Sequence, residues 1–279
     1  MMMVADCYID GEHTYTVFGL SLIEGSYGRL IEWPELKPVN VTDWHEESGV
    51  EPDLSSPALD SRELRIRFAG TTSRAKIDAL LTSLRNQVYH NFAFGIGRSY
   101  VLRFIGGSKP QWVGDMCIIE LEFADDFPLY EYTYAAPTSS IAASDDYWLD
   151  NIRLTDYGVT IINSTLEQTP STKEHLTRAF AKTNGIEYDS VGDLKNEAYE
   201  ANLRCLMRAE RLDELWHNYD ALLYDLVRPE ARSITSSQLG KRYSCYFDSN
   251  TVRRFYPTDK IWLEFDIVLN VIGSTPLNE

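Results

Sequence analysis

Hydrophobic positions along this chain follow two periods, and the series they form occurs twice. Leu64, Ile66 and Phe68 alternate with Arg65 and Arg67, the pattern of a strand with one buried face. Ile77, Leu80, Leu81, Leu84 and Val88 then fall on a single stripe at the 3.6-residue period, which predicts an amphipathic helix. Strands over Tyr100–Phe104 and Cys117–Phe123 follow it. The series returns with an alternating run at Ala201, Leu203, Cys205 and Met207, then a stripe at Leu212, Leu215, Trp216, Tyr219 and Leu223. Two strands, Tyr243–Phe247 and Ile261–Ile267, close it. Every member of the second stripe stands 135 positions after its counterpart in the first.

The match extends upstream of the helices. Phe18-Gly19-Leu20-Ser21-Leu22-Ile23-Glu24 and Tyr157-Gly158-Val159-Thr160-Ile161-Ile162-Asn163 agree in residue type at each position, 139 residues apart. Leu30, Pro34, Lys37 and Gly49-Val50-Glu51 correspond to Leu166, Pro170, Lys173 and Gly185-Ile186-Glu187 at a spacing of 136. The three-residue difference falls at Gly25-Ser26-Tyr27-Gly28, read as a hairpin tip where length varies freely. Each copy therefore reads as β-hairpin, long loop, strand, helix, β-hairpin. The small, polar, proline-bearing stretch between them predicts a linker. The expected organisation is an α+β, mainly β chain with one domain over residues 1–130, a linker over 131–147 and a second domain over 148–279.

Composition narrows the function classes. The 279 residues carry 26 Lys+Arg against 42 Asp+Glu, a net charge of −16, which opposes a phosphate-gripping role. Hydrophobic residues make up 44%, ample for packed cores, yet no apolar run approaches the roughly 20 residues of a membrane helix. The first residues lack the basic and apolar regions of a signal peptide, and a cytoplasmic origin is expected. Cys7, Cys117, Cys205 and Cys245 are too dispersed for a zinc or dithiol motif, and the last three, each in an alternating run, read as buried free thiols.

Candidate chemistry is sparse. His13, His45, His90, His175 and His217 form no metal-binding spacing, and Asp43-Trp44-His45-Glu46-Glu47 reads as a solvated acidic loop. Gly95-Ile96-Gly97 resembles part of a dinucleotide fingerprint but is placed as a helix-to-strand turn, the wrong context for a phosphate cradle. Asp125-Asp126 and Asp145-Asp146 are paired carboxylates expected in solvated loops at the domain edges. Arg98-Ser99-Tyr100 and Arg253-Arg254-Phe255-Tyr256 mix cations with aromatics, a combination that single-strand binders use but that also suits strand edges and subunit contacts. No residue is given a catalytic, cofactor-binding or metal role, and no cofactor is expected.

The stretch Leu30–Leu84 carries a resemblance: a strand bearing Pro34, a polar loop through Gly49-Val50-Glu51-Pro52-Asp53-Leu54, the strand Glu63–Phe68 with alternating basics, then the helix. This order is similar to the N-terminal ring domain of phage distal tail proteins and to related tail-tube and tail-hub domains. Distal tail proteins typically pair one ring domain with a lectin-like or galectin-like domain, whereas this chain repeats the ring-like pattern. The resemblance implies two tandem tail-tube-like β-sandwich or split-barrel domains, each with one flanking helix. It further implies a non-enzymatic virion or prophage tail component, made in the host bacterial cytoplasm, that forms a ring at the tail tip or baseplate and continues the tube channel. The implied partners are other phage tail proteins and further copies of this chain as a homo-oligomer. A trimer would set six quasi-equivalent domains about the axis and is favoured over a hexamer. DNA would be passing cargo, repelled by acidic lumen positions. The alternative is a non-viral ligand-binding module or enzyme with its site between duplicated α+β domains.

Overall fold

Two antiparallel sheets, one in each half, share a strand order in the computed structural model, which describes residues 6–23, 28–129, 131–174, 177–182, 184–188 and 194–277. The first half contains β1 (Cys7–Ile9), β2 (Glu12–His13), α1 (Thr14–Phe18), β3 (Ser21–Leu22), α2 (Gly28–Ile31), β4 (Val41–Thr42) and β5 (Glu51–Pro52). It continues through β6 (Arg62–Thr71), α3 (Arg74–Asn86), β7 (Tyr89–Phe94), β8 (Arg98–Gly107), β9 (Gln111–Val113) and β10 (Met116–Asp125). The second half runs β11 (Tyr147–Leu149), β12 (Ile152–Arg153), a 3-10 turn (Leu154–Tyr157), β13 (Val159–Ser164), β14 (Thr177–Arg178) and β15 (Glu187–Tyr188). It ends with β16 (Tyr199–Ala209), α4 (Leu212–Leu226), β17 (Arg232–Ser236), β18 (Lys241–Tyr256) and β19 (Ile261–Pro276). The orders are β2-β1-β7-β8-β10-β6-β3, with β9 paired to β10, and β12-β11-β17-β18-β19-β16-β13.

Chain connectivity forces both sheets to curl. A flat sheet of seven strands would hold its outer strands about 29 Å apart, at roughly 4.8 Å per spacing. The outer strands β12 and β13 are joined by Leu154–Gly158 alone, which bridges at most about 22 Å from Arg153 to Val159 when fully extended and is wound into a 3-10 turn. In the first half α1 makes the equivalent short connection between β2 and β3. Each sheet is therefore an open, split barrel, with a long helix against its apolar face. Gly19 and Gly158 end these connections in left-handed conformation, φ 72° and 78°. A Cβ at either would meet a backbone oxygen, Thr71 O at 2.5 Å or Arg208 O at 2.6 Å, so glycine is required twice for one reason.

The alternation read from the sequence matches burial on the strands. Leu64, Ile66 and Phe68 of β6 face the core with Ile77, Leu80 and Leu84 of α3, and Leu203, Cys205 and Met207 of β16 do so with Leu215, Tyr219 and Leu223 of α4. All four cysteines are buried and unpaired. Burial pushes the thiols of Cys7 and Cys245 up to about 12. The opposite sheet faces carry cross-strand pairs of mixed sign, Arg65–Glu122 at 3.2 Å, Arg67–Glu120 at 3.5 Å and Arg204–Glu264 at 3.1 Å. In these three pairs each carboxylate is matched by a guanidinium.

Several expected elements differ. A strand follows each helix before the expected hairpin (β7 and β17), because His90 and Asn91 interrupt the apolar alternation of β7 while still pairing in the ladder. Gly95-Ile96-Gly97 is consequently a strand-to-strand turn, with Phe94 opposite Arg98. Leu30 lies on the short helix α2, and Pro34 follows it in irregular chain instead of a strand. Val88 falls beyond the C-terminus of α3 and is 62% exposed, since Gln87 leaves helical geometry. Gly25, Ser26 and Tyr27 of the expected hairpin tip lie outside the described residues.

The connecting stretch lies strapped along α4. Thr138 and Asn218 exchange two hydrogen bonds, Thr138 N–H to Oδ1 at 2.9 Å and Nδ2 to Thr138 O at 2.7 Å. Ser140 donates from its backbone and its hydroxyl to Glu214, both at 2.8 Å. His217 Nε2 meets Ala136 O at 2.9 Å, and Tyr134 stacks on Tyr224 with centroids 4.9 Å apart.

Candidate functional site

The seam between the halves gathers the densest set of aromatic and charged side chains. α2 and the residues after it reach from the first half onto β18 and α4. Trp33 is 4% exposed and packs edge-on against Phe247 and Phe265, with centroids at 5.9 and 5.5 Å. Its backbone N–H donates to Asn250 Oδ1 at 2.6 Å, and Asn250 Nδ2 donates to Tyr219 OH at 2.9 Å. Tyr219 OH in turn donates to Ile31 O at 3.1 Å, so these polar groups of the two halves satisfy one another. Burial pushes the Tyr219 phenol well above its ordinary range.

A second group of contacts comes from the β7–β8 turn. Arg98 grips Asp220 of α4 in a two-pronged pair, 2.6 and 3.2 Å, and its guanidinium lies over Trp216 and Tyr100, 4.9 and 5.4 Å from the ring centroids. Trp216 Nε1 donates to Ile96 O at 2.7 Å. The Arg98-Ser99-Tyr100 stretch thus makes a contact between halves of one chain. Arg253 pairs with Asp266 and Phe255 packs on Trp216 at 5.3 Å, placing the other basic–aromatic stretch on β18 in the same layer.

Long loops lock the halves from the other side. Lys173, 5% exposed at its side chain, donates to Asp43, to Trp44 O at 2.7 Å and to Gly49 O at 2.6 Å. Gly49 N–H donates to Asn196 O at 2.7 Å, and a Cβ there would lie 1.9 Å from Ile272 O. The acidic Asp43–Glu47 loop therefore uses one carboxylate as the counter-ion of a buried lysine, while His45 is exposed.

The remaining candidates separate into structural roles. His90 is fully buried, with Nδ1 2.6 Å from Asp10 Oδ2 and Nε2 3.1 Å from Leu84 O. His13 caps α1, and His175 lies outside the described residues. Asp125 and Asp126 are ion-paired to Arg62 and Arg103, instead of being solvated in a loop. The Arg103 hydrogen bond holds the Asp126 carboxyl below the usual carboxylate range. Among the described residues no group of three or more His, Cys, Asp or Glu is arranged to hold a metal ion. No helix of the described residues is long and apolar enough to cross a membrane.

Beside the seam opens a cleft of about 1140 Å³, walled by the first half, by Asp125, Phe127, Pro128, Leu129, Glu131 and Tyr132, and by α4. Tyr8, Trp33, Tyr89, Tyr100, Tyr132 and Trp216 contribute to its walls. Arg62, Asp125, Arg98 and Asp220 supply two ion pairs, and Glu32 and Glu131 two further carboxylates. Sequence reading missed this site because its residues are scattered over both halves. Its one local signal was Arg98-Ser99-Tyr100.

No known protein-family profile matches the chain, and no curated protein matches it. Among solved structures, the Dit (gp 19.1) protein of SPP1, described as a paradigm of the hub adsorption apparatus in phages infecting Gram-positive bacteria, aligns with 98% of this chain and 99% of its own length. The two are 12% identical, with a TM-score of 0.35.

Proposed function

We propose that this chain is a structural component of a phage or prophage tail, of the distal-tail or hub type, in which one tube-like unit is used twice. The units are residues 1–130 and 148–279, with 131–147 between them. The observation that carries this reading is the shared seven-strand order, down to the left-handed glycine that turns each chain from one open edge to the other. Asp10 and Asp150 reinforce it. Both have positive φ, 52° and 51°, and both fold back to accept a backbone N–H from the neighbouring strand, Asn91 at 2.8 Å and Ser233 at 2.9 Å.

Two split barrels fixed side by side by an aromatic seam form a rigid building block that still has free outer strands. Such strands seek partners unless protected, and a closed ring of copies gives them partners without open-ended growth. Three chains would set six units about an axis. DNA would pass through the channel as cargo, kept from binding by the net negative charge.

The test is the mass of the purified protein, by light scattering and mass photometry, with negative-stain images of the particles. A particle of three or six times the 31.9 kDa chain, showing sixfold features end-on, supports the reading. A particle that remains a single chain, both alone and when mixed with preformed tail-tube rings, overturns it. The cleft between the halves favours a second reading, a ligand-binding module, for which thermal stabilisation by a small molecule without any oligomer is the discriminating result.

A further inference from the structure

The cleft beside the seam has a chemistry of its own, independent of whether copies of the chain form a ring. Its volume, about 1140 Å³, is at the upper end of small-ligand sites, and it sits at a junction of two units, where such sites concentrate. Tyr8, Tyr89 and Tyr132 bring aromatic rings, and Tyr8 is 39% exposed, whereas the Tyr100 ring already packs on the Arg62 and Arg98 guanidiniums. Trp33 is buried in its wall, and its indole Nε1–H has no acceptor among the described residues.

The charges sort the ligands. Each guanidinium is already matched, Arg62 by Asp125 and Arg98 by Asp220, while Glu32 and Glu131 leave the lining with an excess of two carboxylates. An anion entering this cleft meets repulsion with no free cation to offset it, which argues against phosphates, nucleotides and acidic sugars. A purely apolar ligand would strand the ion pairs and carboxylates without water. The ligand that suits both parts of the lining is neutral, rich in hydroxyl donors, and flat-faced with C–H surfaces for the rings. Sugar rings have this combination: their C–H faces pack on aromatic rings, and their hydroxyls donate to carboxylate oxygens.

We propose that the cleft between the two halves binds a neutral oligosaccharide, held by the Tyr8, Tyr89 and Tyr132 ring faces and oriented by hydrogen bonds to the Glu32, Asp125 and Asp220 carboxylates. The site's volume admits more than one sugar ring, and its lining joins first-half residues and Leu129, Glu131 and Tyr132 to Trp216, Asp220 and Leu223 of α4, so both halves are needed to complete it.

The experiment screens the intact chain against soluble neutral di- to tetrasaccharides of glucose, galactose, mannose and N-acetylglucosamine, with sialylated and phosphorylated counterparts as anionic controls. The best binder is then titrated by calorimetry against the wild type, Tyr8→Ala, Tyr132→Ala and the control Val113→Ala, 76% exposed and paired with the end of β10 opposite to Asp125. The expected result is a neutral binder whose affinity falls at least tenfold in the two cleft variants and less than twofold in the control. Circular dichroism checks that each variant is folded. Tyr8 is partly exposed, so its result stands even if Tyr132→Ala fails to fold. Absence of any neutral binder, preference for the anionic controls, or equal affinity in wild type and Tyr8→Ala each overturns the proposal. Loss of oligomer mass in the cleft variants, with no sugar bound by the wild type, reassigns the cleft to subunit contact and likewise overturns it. The ring reading is judged separately by particle mass in the absence of sugar.

Discussion

Trp33 lies almost flat on Tyr219, with centroids 4.4 Å apart and planes inclined by 29°, although the two residues belong to opposite halves of the chain. Both are buried, and both hydrogen-bond into the network that joins α2 to β18. The stack makes the two barrels one packing unit, for the buried apolar residues form a single continuous cluster.

Trp33→Ala should therefore remove about 3–5 kcal/mol of stability, as expected for emptying a buried aromatic site. Calorimetry of the wild type should show one cooperative transition for both halves, and the variant should melt lower. Tyr15→Ala, at a position 61% exposed, should leave the melting temperature unchanged. Two well-separated transitions in the wild type would show that the halves do not depend on the stack.

Lys173 places its ammonium where Asp43, Trp44 O and Gly49 O converge. Lys173→Met keeps the stem but leaves those acceptors without a donor, at a cost of about 1–3 kcal/mol. Hydrogen exchange should then rise sharply over Asp43–Gly49 and stay unchanged in α3. Protection that persists in that loop would mean that the Gly49 N–H to Asn196 bond alone suffices to hold it.

Glu32 gives a pH test. Burial raises its carboxyl pKa, while the Val252 N–H and the Arg29 and Arg62 charges oppose the shift without cancelling it. The folded state consequently holds this proton more tightly than the unfolded chain does. Stability from this group is lost as pH rises from the ordinary carboxyl value through the raised one. Glu32→Gln keeps an acceptor for Val252 and should raise the melting temperature at pH 7 but not at pH 4. A lower melting temperature at pH 7 would show that the arginines dominate.

The outer strand β13 offers a test of assembly that spares the core. Ile162 is 53% exposed on it. Ile162→Lys adds a charge to an open edge and should shift particles toward single chains while changing stability by no more than about 0.5 kcal/mol. An unchanged particle mass would place the contact between copies elsewhere.

Much of this architecture was legible in one dimension, and the limits have physical causes. The stripes Ile77–Val88 and Leu212–Leu223 located both long helices, yet their surroundings differ. On α4, Asn218, Ala221, Leu222 and Leu226 are buried as well: Leu222 and Leu226 face the second half's own core beside Leu149, Leu203 and Ile267, Asn218 bonds Thr138 of the connecting stretch, and Trp216 and Tyr219 meet the first half at Ile96 and Ile31. The apolar Ala221-Leu222 and Leu226 outside the stripe were the visible sign of burial on more than one side, where the first copy has Asn86, Gln87 and Asn91 at the matching positions. The strand β7 stayed hidden because its inward position His90 is polar, satisfied by Asp10 from across the sheet. Of the cleft, only its place between the halves, as an alternative, and Arg98-Ser99-Tyr100 were legible, since periodicity reports which side of an element is buried and never which distant element buries it.

The strap along α4 has a mechanical consequence. A force that draws the two halves apart along the connecting stretch cannot peel one bond at a time, because the Thr138–Asn218 pair, the Ser140–Glu214 pair and the Tyr134–Tyr224 stack share the load in shear. The chain is thereby built to transmit tension from one barrel to the next through a helix, with little slack to absorb it.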